Sequence, residues 1–199
     1  NKFDVLAFGS HPDDVELCAG GTIAQMIIDG YKVGIVDLTR GELGSRGTPD
    51  LRAKEASNAA KILGATRRVN LGLPDGNIEN TLENRLAVVR ELRLCQPDII
   101  FIPAPECRHP DHPAGAKLII DAVFQSGLSK ISTSDQNGAE QSAWRPHHVL
   151  HYMQSIDFFP TLVVDVSRTW EIRNEAVKAY TSQVFNPTYT PSANEPETF

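Results

Sequence analysis

The chain has 199 residues, 41% of them hydrophobic and 22% charged, with a formal net charge of -6. This is an ordinary composition for one globular domain with a sizeable core, and no apolar run approaches the roughly 18–20 residues of a membrane span. The acidic balance, without a dense Lys/Arg run, argues against a nucleic-acid partner; Cys18, Cys95 and Cys107, with no C-x-x-C spacing, argue against a disulfide framework and for a reducing cytoplasm.

Residues 3–9 (FDVLAFG) form a short apolar run and read as a buried strand. Residues 10–14 follow as a tight connection, and 18–29 (CAGGTIAQMIID) read as a helix stopped by Gly30. Residues 32–39 (KVGIVDLT) are a second buried strand, and 40–49 a polar, Gly-containing loop. Helical periodicity covers 50–63, with Asp50 as the expected N-cap and Gly64 as the stop. Residues 67–71 read as a third strand, 82–95 as a helix and 98–102 (DIIFI) as a fourth strand. A loop carrying RHPDHP then leads into a helix at 114–125. Residues 129–145 read as a mobile surface loop, 148–153 and 162–166 as two more strands, and 169–182 as a last helix. Residues 186–199 (NPTYTPSANEPETF) hold three prolines and no period, so the chain is expected to be cut short or disordered there.

Strands alternating with helices imply right-handed βαβ units. The expected fold is therefore a Rossmann-like α/β domain over 1–199, with a mostly parallel sheet covered by helices on both faces. Ligands of such sheets bind outside the carboxyl ends of the strands. Two polar clusters follow strands one and four, which a doubly wound order makes neighbours.

The first cluster is Ser10-His11-Pro12-Asp13-Asp14. A dinucleotide site needs glycines at this place, and two carboxylates would repel a pyrophosphate. Gly20-Gly21 comes too late and reads as permitting close helix packing. An imidazole with two carboxylates suits a divalent cation, and one carboxylate can bind while its neighbour stays free as a base. The plainer reading is that Asp13 and Asp14 cap the following helix. The second cluster, Arg108-His109-Pro110-Asp111-His112, repeats the chemistry. Together the two can provide three protein ligands and an open position, as in catalytic zinc sites.

These motifs resemble the PIG-L/LmbE family of zinc-dependent N-acetylglucosaminyl deacetylases. The resemblance rests on His11 to Asp14 with Glu16 and Gly20-Gly21-Thr22, on Thr39-Arg40-Gly41-Glu42, on Arg52 with Glu55-Ala56, and on His109-Pro110-Asp111-His112. Residues 37–48, Asn70-Leu71-Gly72, Ala143-Trp144-Arg145-Pro146 and Lys178-Ala179-Tyr180 are most similar to the branch that deacetylates N-acetylglucosaminyl-malate in bacillithiol biosynthesis. Chains of that branch continue past the last helix, so this chain is expected to stop short. The resemblance implies one zinc ion per chain, held by His11, Asp14 and His112. It implies Asp13 as general base, His109 as the group that stabilises the tetrahedral intermediate or protonates the leaving amine, and Asp111 as the group that orients His109. It further implies a cytoplasmic enzyme acting on a small glycoside, and a homo-oligomer, trimeric or hexameric.

A malate would need cations, and Arg40, Arg46, Arg52 and Arg108 all sit in or beside the loops at the expected mouth. Arg46 or Arg52 is the expected reader of the malate, against the plainer view of solvated loop charges. Cys107 reads as a bystander thiol, Cys18 and Cys95 as buried. His147, His148 and His151 read as structural, and Trp144 and Tyr152 as sugar-stacking or core aromatics. Competing functions are deacetylation of another N-acetylglucosamine conjugate or a chitooligosaccharide, an iron(II) oxygenase, and a non-catalytic metal- or sugar-binding protein.

Overall fold

The computed structural model describes residues 2–184. The expectation for 186–199 lies outside them. Five strands, β1 (Val5–Gly9), β2 (Val33–Thr39), β3 (Arg67–Leu73), β4 (Ile99–Ile102) and β5 (His148–His151), form one sheet in the order β3-β2-β1-β4-β5. Every pairing is parallel, with Val5 opposite both Val33 and Ile99. β1 and β2 are buried throughout because the sheet is covered on both faces.

Side chains alternate across β1 and feed two cores. Leu6 and Phe8 pack with Val88, Leu92, Leu118 and Ile119 from α4 (Leu82–Cys95) and α5 (Asp111–Ser126). Val5 and Ala7 pack with Ile23, Ala59, Leu63, Ala176 and Tyr180 on the other face. That face carries α2 (Gly20–Ile28), α3 (Pro49–Leu63) and α6 (Trp170–Lys178). No helix among the described residues is long and apolar enough to cross a membrane.

Several elements depart from the sequence expectation, among them the last helix, expected over 169–182 and ending at Lys178. The helix expected at 18–29 is two: α1 (Asp14–Cys18) and α2, broken at Ala19. Glycines are poor helix formers, and here they serve contact. A Cβ on Gly20 would lie 3.1 Å from Arg173 Cγ, and one on Gly21 2.8 Å from Val166 Cβ. The strand expected at 162–166 is absent: Val166 is drawn onto Gly21, and Thr169 Oγ1 donates to the Gly21 carbonyl at 2.8 Å. α3 is capped by Thr48, not Asp50, because Pro49 occupies the first helical position. Loop 129–145 carries an isolated Ser134–Glu140 bridge, and Arg93 ties its start down through the Ile131 carbonyl and Thr133 Oγ1.

Candidate active site

The site is assembled at the carboxyl ends of all five strands. β1 runs into Ser10–Asp14, β2 into the loop bearing Gly44 and Arg46, and β3 into Asp75. β4 runs into Cys107 to His112, and β5 into Gln154 and Ser155. α5 begins at Asp111, three residues before the expected start, so Asp111 and His112 stand in its first turn rather than on a loop. Ser10 Oγ donates to the Asp111 carbonyl at 2.9 Å, joining two clusters that lie 101 residues apart. Gly115 makes that approach possible, since a Cβ there would lie 2.8 Å from both Ser10 Oγ and Leu38 Cδ1.

The three histidines converge. Ring centroids are 4.6 Å apart for His11 and His109, 5.5 Å for His11 and His112, and 5.1 Å for His109 and His112. Ligand nitrogens of all three lie within 4.8 Å of one another. Asp14 bridges two of them, with Oδ1 3.2 Å from His112 Nε2 and Oδ2 3.5 Å from His11 Nδ1. The His11 backbone N–H also donates to Asp14 Oδ2 at 2.9 Å. Burial opposes the Asp14 charge, but hydrogen bonds from His11 and His112 hold its pKa below the usual carboxylate range. An imidazole–carboxylate–imidazole set of this kind fits a divalent cation.

On the other side of the ring, His11 Nε2 lies 3.0 Å from Asp75 Oδ1 and 3.1 Å from Asp111 Oδ2. Burial disfavours the His11 cation, yet hydrogen bonds to Asp111, Asp14 and Asp75 outweigh it and push the pKa up to about 12. A divalent cation would take that proton's place, because a ligating imidazole must be neutral. Carboxylates on the outer nitrogen also orient a ligating histidine. Asp75 escaped the sequence reading. It stands in Leu73-Pro74-Asp75-Gly76, which reads as a turn, and the Leu43 backbone N–H fixes its other oxygen at 2.8 Å.

The expected orientation of His109 by Asp111 does not run through the Asp111 carboxylate. That carboxylate accepts from Gly76 N at 2.7 Å and faces His11. The link to His109 is the Asp111 backbone N–H, which donates to His109 Nδ1 at 3.3 Å. This places the His109 proton on Nε2. Burial, and the nearby His11 and His112 charges, lower the His109 pKa and favour the neutral ring.

Asp13 has a positive φ of 109°, in the left-handed region that non-glycine residues rarely adopt. Arg52 holds the turn: Nη2 donates to the Pro12 carbonyl at 2.8 Å and to Asp13 Oδ2 at 3.0 Å, and Nη1 to the Gly41 carbonyl at 3.2 Å. Burial, with the Asp14 charge and against the Arg52 charge, pushes the Asp13 pKa up to about 7. A carboxylate near neutrality is suited to general-base work.

A cavity of about 770 Å³ opens on this cluster, lined by His11, Asp13, Asp14, His109 and His112, by Leu43 to Ser45, and by Arg108, Gln154 and Gln183. Its size is that of a small-molecule site. Of the four expected substrate-binding arginines, Arg52 and Arg108 line it. Arg52 also braces the turn, through bonds from its terminal nitrogens to Pro12, Gly41 and Asp13. Arg40 lines a separate cavity of about 420 Å³ with Asp37, Pro49 and Asn70. Arg46 is buried, and its carbonyl receives Gln183 Nε2 at 2.9 Å.

Cys107, read from the sequence as a bystander thiol, has its Sγ 2.9 Å from His112 Nδ1 and 2.9 Å from Ser155 Oγ. Gln154, also unforeseen, donates to Asp14 Oδ1 at 3.3 Å. Cys95 is buried as expected, but Cys18 is exposed at the cavity. Tyr152 is a core residue whose hydroxyl donates to the Phe8 carbonyl at 2.8 Å. Trp144 Nε1 donates to the Pro97 carbonyl at 2.8 Å, away from the cavity.

The family model described as PIG-L, GlcNAc-PI de-N-acetylase, matches residues 6–123, which include both clusters. The chain belongs to the PIG-L family. It is 30% identical over 193 residues to a diacetylchitobiose deacetylase of Thermococcus kodakarensis, covering 90% of this chain and 69% of that protein. Among solved structures, this PIG-L member is similar to the conserved protein TT1542 of Thermus thermophilus, with a TM-score of 0.84 and 40% identity over 91% of this chain and 80% of that one. It is also similar to the N,N'-diacetylchitobiose deacetylase of Pyrococcus horikoshii, with a TM-score of 0.81 and 28% identity over 92% of this chain and 71% of that one.

Proposed function

We propose that the protein hydrolyses the acetamide of an N-acetylglucosaminyl conjugate, releasing acetate and the free amine. The observation that carries this reading is the convergence of His11, Asp14 and His112 on one cavity with a further carboxylate, Asp13, which Arg52 holds. Family membership supports it. His11, Asp14 and His112 would hold one zinc ion, a ligand set with room for a further, open position. Bound there, zinc would lower the pKa of a coordinated water to about 7 and polarise the acetyl carbonyl.

The remaining work falls to the chain's own residues. Asp13 takes a proton from the attacking water. His109 donates from Nε2 to the carbonyl oxygen as that oxygen gains charge, a contribution of roughly 3–4 kcal/mol for one such donor. The amide carbon–nitrogen bond then breaks. The amine nitrogen needs a proton to leave, and Asp13 returns the one it took. The Asp111 N–H on His109 Nδ1, which leaves Nε2 as the donor, supports this division of labour.

For the substrate we favour N-acetylglucosaminyl-malate. Arg108 lines the cavity, and a guanidinium can grip a carboxylate through two hydrogen bonds. A second reading, a chitooligosaccharide, is favoured by the names of the Thermococcus and Pyrococcus relatives. Amine release should be compared on N-acetylglucosaminyl-malate, diacetylchitobiose and N-acetylglucosamine. A preference for the malate conjugate that Arg108→Gln erases supports the first reading. Preference for the disaccharide, unaltered by that change, replaces it with the second.

A further inference from the structure

Glu55 matters to the rim of the cavity although it does not line it. It stands on α3 and is only 3% exposed. A buried carboxylate needs hydrogen-bond donors to offset its lost hydration. Here the donors come from one short stretch of chain after α6. Thr181 Oγ1 and the Ser182 backbone N–H each donate to Oε1 at 2.8 Å, and Ser182 Oγ donates to Oε2 at 2.7 Å. Hydrogen bonds to an ionised acceptor are the strong kind.

The stretch so fixed is flanked by cavity-lining residues, Tyr180 on one side and Gln183 and Val184 on the other. It is also tied to a second rim segment. Gln183 Nε2 donates to Ser182 Oγ and to the Arg46 carbonyl, both at 2.9 Å, and the Arg46 loop contributes Leu43, Gly44 and Ser45 to the cavity. Gly47, with φ +70°, lets the two segments touch, since a Cβ there would lie 2.8 Å from Ser182 Oγ. One helix-borne carboxylate thus sets two irregular rim segments relative to each other. Irregular segments hold a binding geometry only when a rigid element supports them.

We propose that Glu55 is a positioning residue for substrate selectivity, fixing the Gln183–Val184 wall against which the part of the substrate beyond the glucosamine ring is sorted. This rests on the deacetylase reading and deepens it. The acetamide end meets the His/Asp cluster whatever its conjugate, so loss of the clamp should act on the conjugate and leave the chemistry alone.

The test uses the zinc-loaded full chain with Glu55→Gln and Glu55→Ala. Glu55→Gln is nearly isosteric and keeps the helix, so it answers even if the alanine variant does not fold. Zinc content, kcat and KM are measured on N-acetylglucosamine, diacetylchitobiose and N-acetylglucosaminyl-malate, with hydrogen exchange followed at 181–184. The expected result is unchanged zinc, faster exchange at 181–184, and a kcat/KM ratio between conjugate and N-acetylglucosamine that shifts by about 10-fold or more through KM. An unaltered ratio, or an equal loss on every substrate, overturns the proposal while the deacetylase reading stands. A wild-type protein that turns over none of the three overturns both.

Discussion

Arg52 Nη2 lies 3.0 Å from Asp13 Oδ2, and the same nitrogen holds the Pro12 carbonyl at 2.8 Å. A single guanidinium therefore fixes both the side chain and the backbone of the turn that carries the candidate base. A non-glycine residue in such a backbone region costs about 1–3 kcal/mol and persists only where its surroundings over-determine it. Arg52→Lys keeps the charge but loses the fork. It is expected to retain bound metal and to lose turnover by at least about 10-fold. Steady-state kinetics with metal analysis checks this, and wild-type kcat in Arg52→Lys would refute the bracing role.

Asp13→Asn should fold and bind metal, because asparagine tolerates the left-handed backbone that this position needs. It should lose turnover by about 10²–10⁴-fold, the usual contribution of a general base. Single-turnover assays on metal-replete protein decide it. Activity near wild type would remove Asp13 from the chemistry.

Asp75→Asn tests a residue outside the cluster motifs. If Asp75 and Asp111 orient His11 through Nε2, the substitution should weaken metal affinity by about 10–100-fold. His112→Ala, by contrast, should leave less than one equivalent bound. Competition titration against a chelator measures both. Equal affinity in wild type and Asp75→Asn would show that the 3.0 Å contact does not support the metal centre.

Both clusters, the parallel sheet and the switch point between β1 and β4 were legible in the sequence, because short apolar runs and long amphipathic stretches alternate cleanly. Helix 82–95 was placed without error, with Thr81 accepting from Asn84 N as its cap. What escaped depends on tertiary contact. Asp75 is one carboxylate in a Pro-Asp-Gly turn, and only the β3-β2-β1 order brings it to His11. Arg52 carries the charge of a substrate reader, but its partners, the Pro12 and Gly41 carbonyls and Asp13, are ones that no sequence pattern shows. The 162–166 segment has strand composition, yet sheet membership depends on a neighbour, and its Val166 packs on Gly21 instead.

Arg68 anchors the short helix that bears Asp14. Its Nε and Nη2 grip both oxygens of Asp37 at 2.8 Å, while Nη1 binds Glu16 Oε1, which also accepts from the Tyr180 hydroxyl at 3.1 Å. Glu16 and Asp37 are buried, so Arg68→Met would strand two carboxylates without their cation. The expected loss is about 3–5 kcal/mol in chemical denaturation. A loss under about 1 kcal/mol would mean that the network is no more than a surface-type pair.

On the proposed mechanism, acetamide hydrolysis depends on a metal held by His11, Asp14 and His112. The measurement that tests it most directly is acetate and amine release by the protein as purified, after chelator treatment, and after one equivalent of zinc is returned. The expected result is equimolar acetate and amine, loss of both on chelation and recovery with a single equivalent. Release that persists through complete metal removal, or that never appears in the zinc-loaded protein on any N-acetylglucosaminyl substrate, would contradict it.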